Sequence, residues 1–426
     1  MNFVKFLKSW IAQLNTLGVE YWQYVQTILN PSPTTAYYPL MTTLTNWCLL
    51  TFAHPIKSNH NGDVISGLQG PLEWGLFATS LTTLLLHVVI YFVWILRNIL
   101  WSDISDNVTF PAWKQIKIIF FFSAYTIILG SQLVTLKRRE EFKRLVMTPK
   151  KMEEKCRAKY ASFPGGGITS EEKYAKTSLL WIGEIVKMSI FGVSFSVFAL
   201  ALLMPCTPPL ITSIIMTDCQ TGLFPTGRLK LYQRIMLGIF ETYTWLIMDA
   251  VVIQLLGGGL VYPAEMLTLW VHVTEKEAKR HRGKIMSYRV AQLVEKIINS
   301  FWDKPLMPLL IACIITAETT SLYVLASSMH KLTIPIILFF AVGGFDYFVA
   351  IHVVFKCLSL PHQRSLKFIN EMRCVMVKNG GRWGRRFMRS CPPVKVSMGD
   401  GTFFDRLTPV VIWQFCVDRV INMLLV

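Results

Sequence analysis

Seven long apolar stretches, separated by polar connections, restrict what this chain can fold into more than any other feature of it. They occupy residues 74–95, 113–136, 178–204, 231–262, 306–329, 334–358 and 409–426. Each reaches the roughly 18 to 20 residues that a helix needs to cross the ~30 Å hydrocarbon core of a bilayer. Hydrocarbon admits only helices or closed barrels, because every backbone polar group must be satisfied inside the protein. The expected fold is therefore an all-α integral membrane protein with seven transmembrane helices. Composition agrees, since 52% of the 426 residues are hydrophobic and 16% charged, against roughly 25% charged in a soluble domain. That balance excludes a soluble globular enzyme.

The fourth stretch is longer than a bilayer requires, so it either tilts or continues as a helix into water. An eighth candidate, residues 37–54, is rich in threonine and carries Pro39 and Asn46, and is left out of the count. Ahead of the first span, residues 1–73 form a separate region. There Phe3, Phe6, Leu7, Trp10, Ile11 and Leu14 recur at spacings of three and four, which places them on one face of an amphipathic surface helix rather than in a signal peptide.

Lys and Arg set the orientation of such a bundle. Residues 1–73, 137–177, 263–305 and 359–408 together carry 33 of them, and residues 96–112, 205–230 and 330–333 carry 4. The first set is expected in the cytoplasm, giving a cytoplasmic N-terminus and an extracellular C-terminus. The net charge of +17 is thus explained by topology, and nucleic-acid binding is not expected. Two features on the outer side agree. Asn107-Val108-Thr109 is a glycosylation sequon, and Cys206 and Cys219 share one outer loop, where they either form a disulfide or remain free thiols. The nine cysteines show no metal-ligand spacing, so no metal and no cofactor is expected. On the inner side, Gly165-Gly166-Gly167 is a flexible break without the residues of a phosphate loop, and Arg382, Arg385, Arg386 and Arg389, just before the last span, point to lipid headgroup contact.

Ionisable groups within the spans cost a few kcal/mol or more, so each implies a bundle-interior or water-lined position. Glu184 and Lys187, three apart, are expected to pair on one helix. Glu241, Glu318 and Asp346 each lie roughly 15 to 18 Å from the nearer end of their spans at 1.5 Å per residue, which places all three near the midplane. They either share a polar pocket, lined with Tyr125, Phe198, Trp245 and Tyr323, or each fixes helix packing through a neighbouring hydroxyl. A pocket of this composition suits a small molecule such as a polyol, sugar or amine. The last span carries Gln414, Asp418, Arg419 and Asn422 at intervals of about four. That polar face meets water in a pore shared between subunits, or else forms an interhelical hydrogen-bond seam.

Seven spans, an inner N-terminus, inner segments longer than outer ones and Gln414-Phe415 in the last helix resemble the arthropod gustatory and odorant receptor superfamily. Its gustatory branch ends in a TYhhhhhQF signature. Residues 408–415, Thr-Pro-Val-Val-Ile-Trp-Gln-Phe, keep the threonine and the Gln-Phe, lack the tyrosine and are one residue shorter between them. Pro205-Cys206-Thr207-Pro208-Pro209 and Thr408-Pro409 look like divergent springtail-type members. The resemblance implies a tetrameric cation channel, homomeric or built with related subunits, in the plasma membrane of sensory neurons and opened directly by small-molecule tastants or odorants. It implies a pore lined by the seventh helices, with Gln414 and Phe415 at the gate and Asp418 one turn further out. A G-protein-coupled receptor is the alternative, but it requires an outer N-terminus, a DRY-like triplet after the third span and an NPxxY-like motif in the seventh, none of which is present. A secondary transporter would show an internal repeat, and no catalytic constellation is visible, so no enzyme is expected.

Overall fold

The computed structural model describes residues 26, 37–58, 65–97, 112–161, 170–206, 210–215, 230–280, 284–303, 305–328, 334–379 and 382–425. The expected N-terminal amphipathic helix, the triple glycine and the Asn107 sequon lie outside the described residues. The described residues are mostly helical, with one antiparallel hairpin, β1 (Ile56–Ser58) with β2 (Ile65–Gly67), in which Ile56 faces Gly67.

Among the described residues, seven helices are long and apolar enough to cross a membrane. In chain order the helices are α1 (Tyr38–Leu50), α2 (Pro71–Ile95), α3 (Ala112–Lys137), α4 (Arg139–Ala161), α5 (Ser170–Leu203), α6 (Leu231–Ile253) and α7 (Tyr262–Arg280). They are followed by α8 (Tyr288–Trp302), α9 (Leu306–Ser328), α10 (Ile334–Val349), α11 (Phe355–Asn379), α12 (Arg382–Arg389) and α13 (Thr408–Leu425). The spans are carried by α2, α3, α5, α6, α9, α10 and α13, and they leave broad apolar faces uncovered, such as Leu85, Val89 and Phe92 on α2 and Met188, Phe191 and Phe195 on α5. Faces of this kind suit lipid, which solvates them as well as protein would.

The excluded segment 37–54 forms α1, whose 13 residues reach only about 20 Å, short of a bilayer core. It lies against α5 and α6 instead, and a Cβ at Gly183 would overlap the Leu40 side chain packed there.

The fourth span continues as a helix, the second of the two outcomes that its length allowed. Residues 231–280 form one helical rod of 50 residues, about 75 Å long, in which α6 passes through a π-helical stretch, Gln254–Val261, into α7. The sixth behaves alike, α10 running through Ala350–Val354 into α11, although its apolar stretch ends at residue 358. Beyond the apolar limit these helices keep one greasy stripe. On α7, Met266, Leu267, Trp270, Val271 and Val273 are buried while the ends become charged. Amphipathic packing thus replaces hydrocarbon as the reason to stay helical.

Much of the basic segments is helical rather than irregular among the described residues. Their helices α4, α7, α8 and α11 pack on one another at one end of the molecule, around a core that includes Phe142, Leu260, Tyr288, Phe301 and Phe368. Charged pairs cross it: Lys159 with Glu277 at 2.7 Å, Lys279 with both Glu275 and Glu371 at 2.7 Å, and Arg364 with Glu275 at 3.5 Å. Glu153 is a buried node. Its two carboxylate oxygens accept hydrogen bonds from the Tyr37 backbone N–H and the Tyr262 hydroxyl, both at 2.6 Å, which ties α1 and α7 to α4. Glu153→Ala should strand both donors at about 1 to 3 kcal/mol each, seen as a drop of several degrees in the unfolding temperature of detergent-purified protein, with Glu153→Gln intermediate.

Candidate functional site

Polar groups inside the spans fall into three places, and the geometry of each differs. The first surrounds Glu241, on the buried side of α6. His87 and Tyr91, four apart on α2, Tyr125 on α3 and Glu241 itself are all fully buried. The His87 ring lies 4.7 Å from that of Tyr125 and stacks at 5.6 Å on Phe240, and the Tyr125 hydroxyl lies beside the Trp245 indole. Glu241 Oε1 accepts the Ile211 backbone N–H at 2.7 Å, which fastens the connection between α5 and α6 onto the bundle.

Hydrogen-bond chemistry fixes the proton inventory of this pair. His87 Nδ1 lies 2.8 Å from the Thr83 carbonyl, which only accepts, so Nδ1 carries a hydrogen. Nε2 then faces Glu241 Oε2 at 3.4 Å. Two lone pairs would repel there, so one further proton sits between ring and carboxyl. Whichever partner holds it, the pair has no net charge, the condition under which two ionisable groups are tolerated in an apolar interior.

The second place joins α6, α9 and α10. Tyr347 lies within electrostatic reach of Asp249, Glu318, Asp346 and Cys313, and Asp249 faces Asp346. Glu318 is 1% exposed, and among the described residues neither of its carboxylate oxygens has a hydrogen-bond partner. Cys416 of α13 lies next to Glu318 and Thr319.

The third place is α13. Ile412, Cys416 and Val420, at successive intervals of four, are buried and pack it on α9, whereas Gln414, Phe415, Asp418, Arg419 and Asn422 are exposed. The Arg419 guanidinium lies over the Phe415 ring at 4.7 Å. Before the helix, Asp405 Oδ1 accepts the backbone N–H groups of Leu407 and Thr408 at 2.9 and 2.8 Å, and the Thr408 hydroxyl at 2.9 Å. The Thr408 hydroxyl and these backbone donors hold the Asp405 carboxyl below the usual range, so this cap persists at neutral pH and is lost as the pH falls through its lowered pKa.

Of the residues expected to line one pocket, Tyr125, Glu241 and Trp245 therefore come together, while Glu318 and Asp346 gather with Asp249 around Tyr347. Phe198 lies over Gly238, where a Cβ would come within 2.9 Å of its ring, and Tyr323 is half-buried on α9. Glu241 and Asp249 are eight residues apart on one helix, about 12 Å, so the two groups sit at different levels of α6 although Glu241, Glu318 and Asp346 were expected at similar depths. His87 was missed because a lone histidine in an apolar run was not counted among the charges. Its signal was the i, i+4 spacing to Tyr91. Buried Lys117, 5.2 Å from the Phe340 ring centroid, was likewise overlooked. Lys187 and Glu184 pair at 3.6 Å as expected. Cys206 is disulfide-bonded, seven other cysteines form no disulfide, and Cys219 lies outside the described residues. Among the described residues no group of His, Cys, Asp and Glu is arranged to hold a metal. A cavity of about 30 Å³ is bordered by Met41, Val146 and Tyr262, and none of the residues expected to line the ligand pocket borders it.

If the His87–Glu241 pair is structural, His87→Leu or Glu241→Leu alone should strand its partner, cost about 3 kcal/mol or more and lower surface expression. The double Leu variant should recover expression relative to either single one, as surface biotinylation would show.

No protein-family model matches the chain, and no curated protein matches it by sequence. Among solved structures, the insect olfactory receptor OR5 from Machilis hrabei matches with a TM-score of 0.56 at 11% identity, over 95% of this chain and 98% of that one. The same receptor in complex with eugenol matches to the same extent. The likeness extends over nearly the whole of both chains, and what they share is the fold of that olfactory receptor.

Proposed function

We propose that the chain is a subunit of a chemosensory receptor that acts as a ligand-gated cation channel, of the gustatory-like branch that its last helix resembles. The outward polar face of α13 carries this reading. Gln414, Asp418 and Asn422 are exposed on a membrane-length helix whose inward residues are apolar. Their exposure supports a pore over a seam within the chain, since such a face in a bilayer must meet water or another subunit. Four copies around an axis would line a conduit. Rings of Phe415 would close it by dewetting, and Gln414 oxygens with Asp418 charge would favour cations once it opens. The fold likeness to an olfactory receptor supports the same class.

The ligand, on this reading, is a small molecule with a hydrogen-bond donor or amine. Tyr125, Phe198, Trp245 and Tyr323 supply aromatic area in the outer half of the bundle. Glu241 is already engaged by His87 and Ile211, so Glu318 and Asp346 are the carboxyls left to orient a guest. A drug-sized guest needs some 300 Å³ or more, so binding separates the packed helices rather than filling an open hollow. The gathering of the basic helices at one end of the molecule supports a cytoplasmic N-terminus and extracellular C-terminus.

Whole-cell recording tests the channel. Phe415→Ala should raise ligand-independent current, and Asp418→Asn should lower the preference for cations. Well-expressed variants with the basal current and selectivity of the parent would remove α13 as the conduction path. Epitope tags test the orientation, since only a C-terminal tag should stain on unpermeabilised cells.

A further inference from the structure

The four arginines of α12 are not explained by membrane topology. Arg382, Arg385, Arg386 and Arg389 recur at i, i+3, i+4 and i+7, one stripe about 10 Å long, and all four are exposed. Gly384, Phe387 and Met388 form the buried opposite face. That face is fixed to α8, with Arg289 over the Phe387 ring at 5.1 Å and donating to the Ser390 hydroxyl at 2.9 Å.

Proximity to the last span in sequence suggests contact with lipid headgroups, whereas in space the stripe lies apart from the foot of α9. From Ser390 the chain climbs along α8: Gln292 donates to the Pro392 carbonyl, Glu295 accepts the Lys395 N–H, and Asn299 bonds both Lys395 and Ser397. It reaches the foot of α9 only at Gly399, whose φ of +88° places it against Pro308. Arg289, level with α12, is thirteen residues below the end of α8, about 20 Å. An arginine side chain spans only about 7 Å, and surface charge is screened over about 8 Å at physiological salt. The stripe therefore lies farther from the foot of α9 than an arginine side chain reaches, which favours a soluble source of phosphate over a headgroup.

Nor is the stripe neutralised within the chain. Residues 372–399 contain seven Lys and Arg and no Asp or Glu, and no ion pair involves any of the four arginines among the described residues. Like charges at i, i+3 and i+4 destabilise a helix by a few tenths of a kcal/mol per pair, so the free protein bears an uncompensated cost. Planar guanidinium forks at this spacing match a row of phosphate oxygens.

We propose that the α12 arginine stripe binds the phosphates of a soluble polyphosphate ligand on the cytoplasmic side of the membrane. The site extends the proposed function by a second, intracellular ligand. It rests on the orientation proposed above, which the tag experiment tests separately, but not on channel activity.

The test is calorimetric titration of sodium tripolyphosphate into the purified full-length chain in nanodiscs of neutral phosphatidylcholine. Saturable binding is expected, weakened about tenfold or more in R385Q/R386Q and by raising salt from about 50 to about 500 mM. The unfolding temperature of the variant should stay that of the parent, since both side chains are exposed. A separate arm adds a phosphoinositide to the nanodiscs. Unchanged tripolyphosphate affinity supports the soluble source, whereas blocked binding assigns the stripe to a lipid headgroup and overturns the proposal. Absent binding, or equal affinity in R385Q/R386Q, overturns it as well.

Discussion

A peptide group in hydrocarbon has no water to bond, and the rest of this structure depends on that constraint. It makes each apolar stretch a helix whatever its propensity, glycine runs included. Because a helix that is already formed adds residues cheaply, two of the seven continue far past the membrane limit as α7 and α11. These extensions bring the basic segments together and create the packed core around Phe301 and Phe368. Burial within the spans is uneven, from 22% of the α5 window to 61% of that in the rod that begins with α6. The weakly enclosed spans leave broad faces free to meet lipid.

Within the spans, polar groups are accommodated in different ways. Glu241 meets His87 and the Ile211 N–H, which pins the α5–α6 connection. Glu318, beside the helix that carries the outward stripe, is enclosed with no hydrogen-bond partner among the described residues and keeps spare hydrogen-bonding capacity.

Much of this architecture was legible in the sequence, since span number and the two-sided distribution of Lys and Arg depend on composition summed over many residues. The polar face of α13 was legible for the same reason, its period of four surviving in the fold. What depended on relations between helices was not. The midplane depths of Glu241, Glu318 and Asp346 were similar, yet depth does not say which way a side chain points, and Asp249, the eventual neighbour of Asp346, lay outside the chosen band. The helical form of the basic segments was hidden because charged amphipathic helices lack the hydropathy by which spans are found. Arg382 to Arg389 adjoin the last span in sequence yet pack on α8 and α11, a relation that chain order does not carry.

The π-helical stretches at Gln254–Val261 and Ala350–Val354 bear on how such rods tolerate change. Each holds wider turns than the helices it joins, and every residue added to or removed from an ideal helix swings all that follows by about 100°. A stretch that is already overwide can absorb a single-residue insertion or deletion by changing length locally. The face that α6 shows to its neighbours and the face that α7 shows to α4 and α11 are thereby decoupled in register. Lineages related to this chain can accordingly vary in length at these two points without remodelling either half, and alignments among them should place their gaps there rather than in the polar connections.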